Sequence, residues 1–251
     1  SKSYYNLSEI SKERPVILFD QLGTGRSDHH QDTTLLKVEM FVQQVKAIKS
    51  ELKLNKFYLV GSSWGAALAL EYYSQYPEGI NGIIFNSPYF STPIWTEDAA
   101  KLVAGLPDSI QTAIHIAERD SIFDTDSYIA ANSFFASRHG RRKELIKHPY
   151  DTVKSNRNTF IYNYMWGPSE FTATGTLKDY DNVQSLKKVE VPALFTTGEF
   201  DEARPETVKK LSKMVNDSRF VNIPDAGHFS LNDNRQAVVR AIQEFLENQK
   251  K

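Results

Sequence analysis

Hydrophobic positions along the chain fall into two textures. Short β-prone runs at 16–19, 56–60, 80–85, 191–197 and 219–223 have strand length, and Val16-Ile17-Leu18-Phe19 is apolar without interruption. That pattern predicts strands buried on both faces of a parallel sheet. Between them lie helix-period segments. Residues 33–53 carry Leu36, Met40, Val42, Val45, Ile48 and Leu52 as an apolar stripe, with Thr33 or Thr34 as the cap. An alanine- and leucine-rich helix runs from the turn at 61–65 to about Tyr76 and stops at Pro77. Helices at 205–215 and 234–248 complete the set, and residues 3–12 read as a short helix or turn with Tyr4, Tyr5, Leu7 and Ile10 as its apolar members. The β-α-β-α-β alternation predicts an α/β fold: a mostly parallel sheet with helices on both faces. From about residue 91 to 175 the texture changes. Helices are predicted at 95–105, 109–119, 126–138 and 150–165, punctuated by Pro107, Gly140 and Pro149, with no buried strand. This reads as a helical cap (91–175) inserted into a core formed by 1–90 and 176–251, with no internal repeat or low-complexity tract.

The strand at 56–60 runs into Gly61-Ser62-Ser63-Trp64-Gly65, a G-x-S-x-G turn followed by a helix. In that context the central serine sits on a strained strand-to-helix turn, its hydroxyl raised above the sheet. Glycines two residues before and after are expected to let the backbone turn without side-chain clashes. The helix N-terminus aims unpaired N–H groups at the same place. A strand–turn–helix corner without chemistry is the alternative. A serine hydroxyl also needs a base, and the base an orienting carboxylate, in the chain order Ser, Asp/Glu, His. Downstream, Gly198-Glu199-Phe200-Asp201-Glu202 and Pro224-Asp225-Ala226-Gly227-His228-Phe229 follow predicted parallel strands and emerge on the same sheet edge as Ser63. Ser63, Asp201 and His228 therefore have the right types, order and positions.

Other motifs carry less. Gly23-x-Gly25 follows a strand run, but the third glycine of a dinucleotide loop would fall on Asp28. His29 and His30 beside Asp28 and Asp32 read as a solvated turn rather than a metal site. His115 reads as packing or surface, and His139 and His148 as exposed joints. With 30 basic and 31 acidic residues the net charge is −1, which points to neither nucleic acid nor an anionic membrane as partner. There is no cysteine, hence no disulfide framework or thiolate metal site. No apolar run reaches the length of about 18 residues that a spanning helix needs. No secretory signal is visible and the sequons at Asn6 and Asn216 read as chance, so the expected compartment is cytoplasmic, with no metal or cofactor.

The chain resembles the proline iminopeptidase (prolyl aminopeptidase) family of α/β-hydrolases, including the tricorn-interacting aminopeptidases. The matching stretches are residues 19–28 (Phe-Asp-Gln-Leu-Gly-Thr-Gly-Arg-Ser-Asp), 61–69, Tyr164-Met165-Trp166-Gly167-Pro168-Ser169-Glu170-Phe171, Gly198 to Glu202, and Asp225-Ala226-Gly227-His228. Trp166-Gly167-Pro168-x-Glu170 is the most specific, because generic hydrolases lack it. The resemblance implies Ser63 as nucleophile, Asp201 as orienter, His228 as base and the Trp64 backbone N–H as oxyanion donor. It also implies that Glu170 and Glu202 receive the free amino group of the substrate, a charge requirement that an internal peptide bond cannot meet. The cap would close the site beyond the first residue. Among Phe134, Phe135, Tyr162, Tyr164, Trp166 and Phe171, one or two are expected to form a pocket for a proline ring and the rest to be core.

The family carries a His-Gly-Gly-Pro-Gly-type loop and further strands ahead of the first matching stretch. The loop supplies the second oxyanion donor, and no such motif occurs in these 251 residues. The expectation is that a separate N-terminal segment completes the fold, and that residues 1–251 alone are poorly stable and weakly active. The expected partners are short peptides with a free N-terminus. The functional expectation is a serine aminopeptidase releasing N-terminal proline or a small apolar residue through an acyl-enzyme. An esterase or lactonase on the same scaffold, and a binding protein that keeps the hydrolase fold, are the alternatives. Epoxide hydrolases and dehalogenases use an aspartate where this chain has Ser63.

Overall fold

The computed structural model of the chain describes residues 7–29, 31–145 and 158–249. Among the described residues four strands form one sheet: β1 (Phe57–Ser62), β2 (Ile80–Asn86), β3 (Ala193–Gly198) and β4 (Ser218–Ile223), in that spatial order. All three pairings are parallel, so every strand ends at the same edge. The register sets Ser62 beside Asn86, and Asn86 beside Thr196. β2 and β3 are central, and every residue of β3 is buried.

Alternation along the strands builds the two sides of the core. Ile83, Phe85, Ala193 and Phe195 face one side, which α1 (Val38–Glu51) covers with Phe41 and Val42, and α2 (Trp64–Gln75) with Ala66, Leu70 and Tyr72. Ile84, Leu194 and Ile223 face the other, closed by Val238, Ile242, Phe245 and Leu246 of α9 (Arg235–Asn248). α2 is buried around most of its circumference, which explains its small apolar residues: the neighbouring elements approach closely.

The chain between β2 and β3 carries α3 (Thr92–Ala104), α4 (Asp108–Asp120), α5 (Asp126–Phe135), a π-helical turn (Ala136–Gly140), α6 (Thr159–Met165) and a 3-10 turn (Val183–Lys188). No strand occurs among the described residues there. α3 to α5 have an apolar cluster of their own, including Val103, Ile114, Tyr128, Phe135 and Phe171. α7 (Pro205–Ser212) follows β3, and the short α8 (Ser230–Asp233) follows the histidine loop.

Several expectations are corrected. The run at 16–19 joins no ladder among the described residues, and Ile17, Leu18 and Phe19 are 45%, 39% and 44% exposed. An apolar run becomes a buried strand only when a neighbour takes up its backbone groups, and no described strand does so here. The helix at 33–53 begins at Val38. Asp32, not a threonine, caps the preceding 3-10 turn (Thr33–Leu35) by accepting from Thr34 N–H. Phe41 and Val42 carry that helix's burial, while Met40 and Leu52 are exposed. Residues 3–6 and 150–157, parts of predicted helices, and His30 and His148 lie outside the described residues.

Candidate active site

Ser63 follows the last residue of β1 with φ 55° and ψ −122°, a left-handed backbone rarely adopted by a non-glycine residue. Its N–H is held by Asn86 C=O at 3.1 Å, and its C=O accepts from Ala66 N–H at 2.9 Å. Only glycine fits at 61, where a Cβ would lie 2.1 Å from Gly65 O. At Gly65 a Cβ meets nothing within 4 Å, so steric crowding there is not what the turn requires, contrary to the expectation for both glycines.

Asp201 is 1% exposed on the loop after β3. Its Oδ1 accepts from Ala203 N–H (2.8 Å) and from His228 Nδ1 (2.8 Å); Oδ2 accepts from Thr197 Oγ1 (3.0 Å) and Gly198 N–H (3.1 Å). Three N–H donors, and the Thr197 hydroxyl whose one proton is shared with Ala203 C=O at 2.6 Å, hold the carboxylate in one orientation. The histidine loop is sewn to this one: Phe200 N–H donates to Ala226 C=O and Glu199 N–H to Ile223 C=O, both at 2.9 Å. The Ser63 end is tied in through Asn86, whose amide donates to Ser62 Oγ (3.0 Å) and accepts from Thr196 Oγ1 (2.8 Å) and Ser230 Oγ (3.0 Å). Asp201 and His228 are thus brought into contact. Ser63 faces the adjoining cavity, and its Oγ has no hydrogen bond among the described residues. Such contacts are commonly long before substrate binds.

That cavity, about 290 Å³, is mostly apolar, with Ser63, Trp64, Tyr89, Trp95, Ile161, Tyr162, Met165, Trp166 and Glu170 among its walls. Of the six aromatics expected to hold a proline ring, Tyr162 and Trp166 line it. Phe135 and Phe171 are core, Phe134 packs against them, and Tyr164 stacks on Phe160. Trp64, Tyr89 and Trp95 are additional walls, and no periodicity in the sequence distinguishes them from core residues. The Trp64 indole donates to Gln21 Oε1 at 3.1 Å, which brings the 20–28 loop to the cavity.

Glu170 reaches the wall through a tight turn. Trp166 Nε1 donates to Ser169 C=O at 2.8 Å, and Gly167, at φ 152°, leaves room for Thr172 C=O, which a Cβ would approach to 2.3 Å. Glu170 Oε1 accepts from Tyr162 OH at 2.7 Å, and its backbone C=O from Trp95 Nε1 at 2.8 Å. Glu202 is 3% exposed, with Oε1 3.8 Å from His228 Nδ1 and Oε2 buried without a hydrogen-bond partner. Burial pushes the Glu202 carboxyl well above the ordinary range and Glu170 adds to this, while His228 pulls it back. For His228, burial favours the neutral ring, but the charges of Asp201 and Glu202 outweigh it and push the pKa up to about 10.

His139, expected to be exposed, is half-buried. Its Nδ1 donates to Phe200 C=O at 2.9 Å, and its own C=O accepts from His228 N–H at 2.8 Å, so it braces both loops. Its pKa is lowered, chiefly by burial. His29 makes one contact, from Nε2 to Gly25 C=O at 3.2 Å, and His115 lies exposed, 3.8 Å from Glu118. No cluster of three or more His, Asp or Glu side chains placed to hold a metal ion occurs among the described residues, and none of the described helices is long and apolar enough to cross a membrane.

A parallel sheet with a serine on a strained strand-to-helix turn, and a carboxylate–histidine pair on later loops of the same edge, defines an α/β-hydrolase; the family described as "alpha/beta hydrolase fold" matches residues 2–234. Proline iminopeptidase of Heyndrickxia coagulans is 37% identical over 245 residues, covering 97% of this chain and 85% of that protein. Among solved structures, proline iminopeptidase of Mycobacterium smegmatis superposes with a TM-score of 0.87 at 26% identity, covering 99% of this chain and 85% of that one. VinJ superposes with a TM-score of 0.90, also at 26% identity, with 99% and 86% covered. The chain belongs to the proline iminopeptidase family.

Proposed function

We propose that this protein is a serine aminopeptidase that releases an N-terminal proline, or a small apolar residue, from short peptides. The observation that carries the reading is a pair of carboxylates near Ser63: Glu170 on the wall of the mostly apolar cavity that Ser63 also lines, and Glu202, buried against His228 with one oxygen that has no partner. An apolar cavity of about 290 Å³ suits a compact ring, and the carboxylates suit its ammonium. Residues 91–175 act as the cap that limits the site to one residue ahead of the scissile bond. The relatives named proline iminopeptidase support the same substrate class.

In this reading Ser63 Oγ attacks the scissile carbonyl carbon and its proton passes to His228 Nε2, while Asp201 holds Nδ1–H and fixes the tautomer. The Trp64 backbone N–H stabilises the oxyanion at the start of α2. The imidazolium gives its proton to the leaving amine as the C–N bond breaks. Water then attacks the acyl-enzyme, His228 taking one proton and returning it to Ser63 Oγ. The substrates are short peptides with a free N-terminus; no step calls on a metal, an organic cofactor, nucleic acid or a membrane, and the cytoplasm is the proposed compartment.

The test is hydrolysis of proline p-nitroanilide and its N-acetyl derivative by wild type, Ser63→Ala and Glu202→Gln. Wild type should cleave only the free amine, Ser63→Ala neither, and Glu202→Gln should lose most of its preference. Equal cleavage of both compounds by wild type favours an esterase-like enzyme instead, and full activity of Ser63→Ala removes the mechanism.

A further inference from the structure

Amine binding, in that reading, calls on Glu170 at the cavity wall and on Glu202 near enough for the two charges to act on each other. It does not require Glu202 to stand beside the histidine. Yet Asp201 and Glu202 are consecutive, and both reach the same ring nitrogen: His228 Nδ1 lies 2.8 Å from Asp201 Oδ1 and 3.8 Å from Glu202 Oε1. The ring is buried, with Trp95 edge-on against it at 5.5 Å between centroids. Water therefore screens these charges little.

We propose, building on the aminopeptidase reading, that the substrate's own ammonium group licenses the base: without a cation between Glu170 and Glu202, the carboxylates gathered around His228 keep a proton on its imidazole, and docking of the ammonium expels it.

The charged groups on each element packed around the ring support this. The loop after β3 brings Asp201 and Glu202 against the ring, and the charge of Glu170 on the cavity wall adds to theirs. The nearby cations are engaged elsewhere. Arg204 pairs with Asp98 (3.1 Å) and Glu206 (3.4 Å), the Arg142 guanidinium stacks on the Phe200 ring (3.8 Å), and Lys143 pairs with Asp225 (2.7 Å). His139 spends its Nδ1 on Phe200 C=O, and Asp233 spends its carboxylate on the N–H groups of Gly227, Arg142 and Lys143. Glu202 and His228 are both raised and compete for one proton; the imidazole takes it, because there the proton becomes the positive charge that the cluster otherwise lacks.

Docking brings an ammonium to Glu170 and Glu202. Its charge takes over the compensation, and the ring proton on Nε2 leaves for solvent. Nδ1–H stays on Asp201, and Nε2 becomes free to accept the Ser63 proton. The acyl-enzyme keeps the same ammonium, so the water step has the same neutral ring. Release of the free amino acid restores the protonated resting state. The requirement for a free amine is then exerted on the chemical step as well as on binding.

Two pH profiles test this. The kcat of proline p-nitroanilide hydrolysis reports the base with the amine site occupied. The second-order rate of Ser63 labelling by a neutral fluorophosphonate reports it with the site empty. The labelling profile should rise at least one pH unit above the kcat profile, so that labelling at pH 7 falls about tenfold or more below its alkaline plateau. Glu202→Gln should lower the labelling limb by at least one unit. Glu170→Gln, whose amide oxygen can still accept from Tyr162, should move it the same way and keeps the test intact if Glu202→Gln does not fold. Coincident limbs in wild type, a separation that neither variant reduces, or no labelling at any pH up to about 10 overturns the proposal. Failure to cleave proline p-nitroanilide instead removes the aminopeptidase reading, while the labelling profiles still report where the proton resides.

Discussion

Asp201→Asn is the most informative single substitution, because it changes charge and donor pattern at nearly constant shape. Each oxygen of the wild-type carboxylate accepts from a backbone N–H: Ala203 N–H beside His228 Nδ1 on one, Gly198 N–H beside the shared Thr197 hydroxyl on the other. An asparagine NH₂ must replace one oxygen, so it meets a backbone N–H in either orientation. One buried donor left unsatisfied costs about 1–3 kcal/mol. If the NH₂ turns toward His228, Nδ1 becomes an acceptor, the proton moves to Nε2 and the ring cannot take the Ser63 proton. Wrong-tautomer substitutions of this kind lower kcat by about 10⁴, or about 5.5 kcal/mol of barrier. The expected result is a loss of about 2 kcal/mol in urea unfolding and of about 10³–10⁴ in kcat on proline p-nitroanilide, with KM little changed. The stability difference has a pH signature. A histidine raised to about 10 in the fold contributes stability that is complete below its unfolded value of about 6.5 and is lost as pH rises through about 10. Part of the deficit should therefore be largest below pH 6.5 and narrow toward pH 10. A kcat within tenfold of wild type would refute Asp201 as the residue that orients His228.

Three further outcomes follow from the same geometry. Gly61→Ala drives a Cβ to 2.1 Å from Gly65 O and should cost about 3 kcal/mol or more, whereas Gly65→Ala, with open space around its Cβ, should cost under about 1 kcal/mol; urea unfolding of the pair checks the contrast. Tyr162→Phe removes the 2.7 Å bond to Glu170 and should raise KM for amine substrates about tenfold, with labelling of Ser63 by a neutral fluorophosphonate unchanged. Glu202→Gln should melt at a higher temperature than wild type at pH 8. A carboxyl whose pKa is raised in the fold penalises folding above its unfolded value of about 4.5, so the advantage should shrink to nothing in thermal melts near pH 4.

The candidate site residues could be picked out in the sequence because each is marked by its neighbours. Ser63 lies between glycines at a strand-to-helix junction, Asp201 follows a buried strand and a glycine, and His228 sits on the loop of the next strand. The strand and helix order from 57 to 86 and from 193 to 248 was readable within two or three residues, since buried parallel strands and their covering helices have distinct periods. The run at 16–19 was misread for the same reason that the others were read correctly. Its apolar residues match a buried strand, and pairing depends on a neighbour that local sequence does not describe.

The order of elements, the elbow and the identity of the candidate triad are local properties, set by residue type, spacing and strand period. Which carboxylates act on one another is not. Glu170 lies 31 positions before Asp201 and 58 before His228; the turn at Trp166–Thr172, the Trp95 and Tyr162 hydrogen bonds and the burial of Glu202 bring its charge into the same enclosed space. The strength of that charge coupling depends on exclusion of water, and exclusion of water is a property of packing from several distant segments at once. Tertiary structure also decided that His139 braces two loops and that Gly61, not Gly65, is the glycine that crowding demands. In each case the deciding quantity is a distance between residues far apart in the chain.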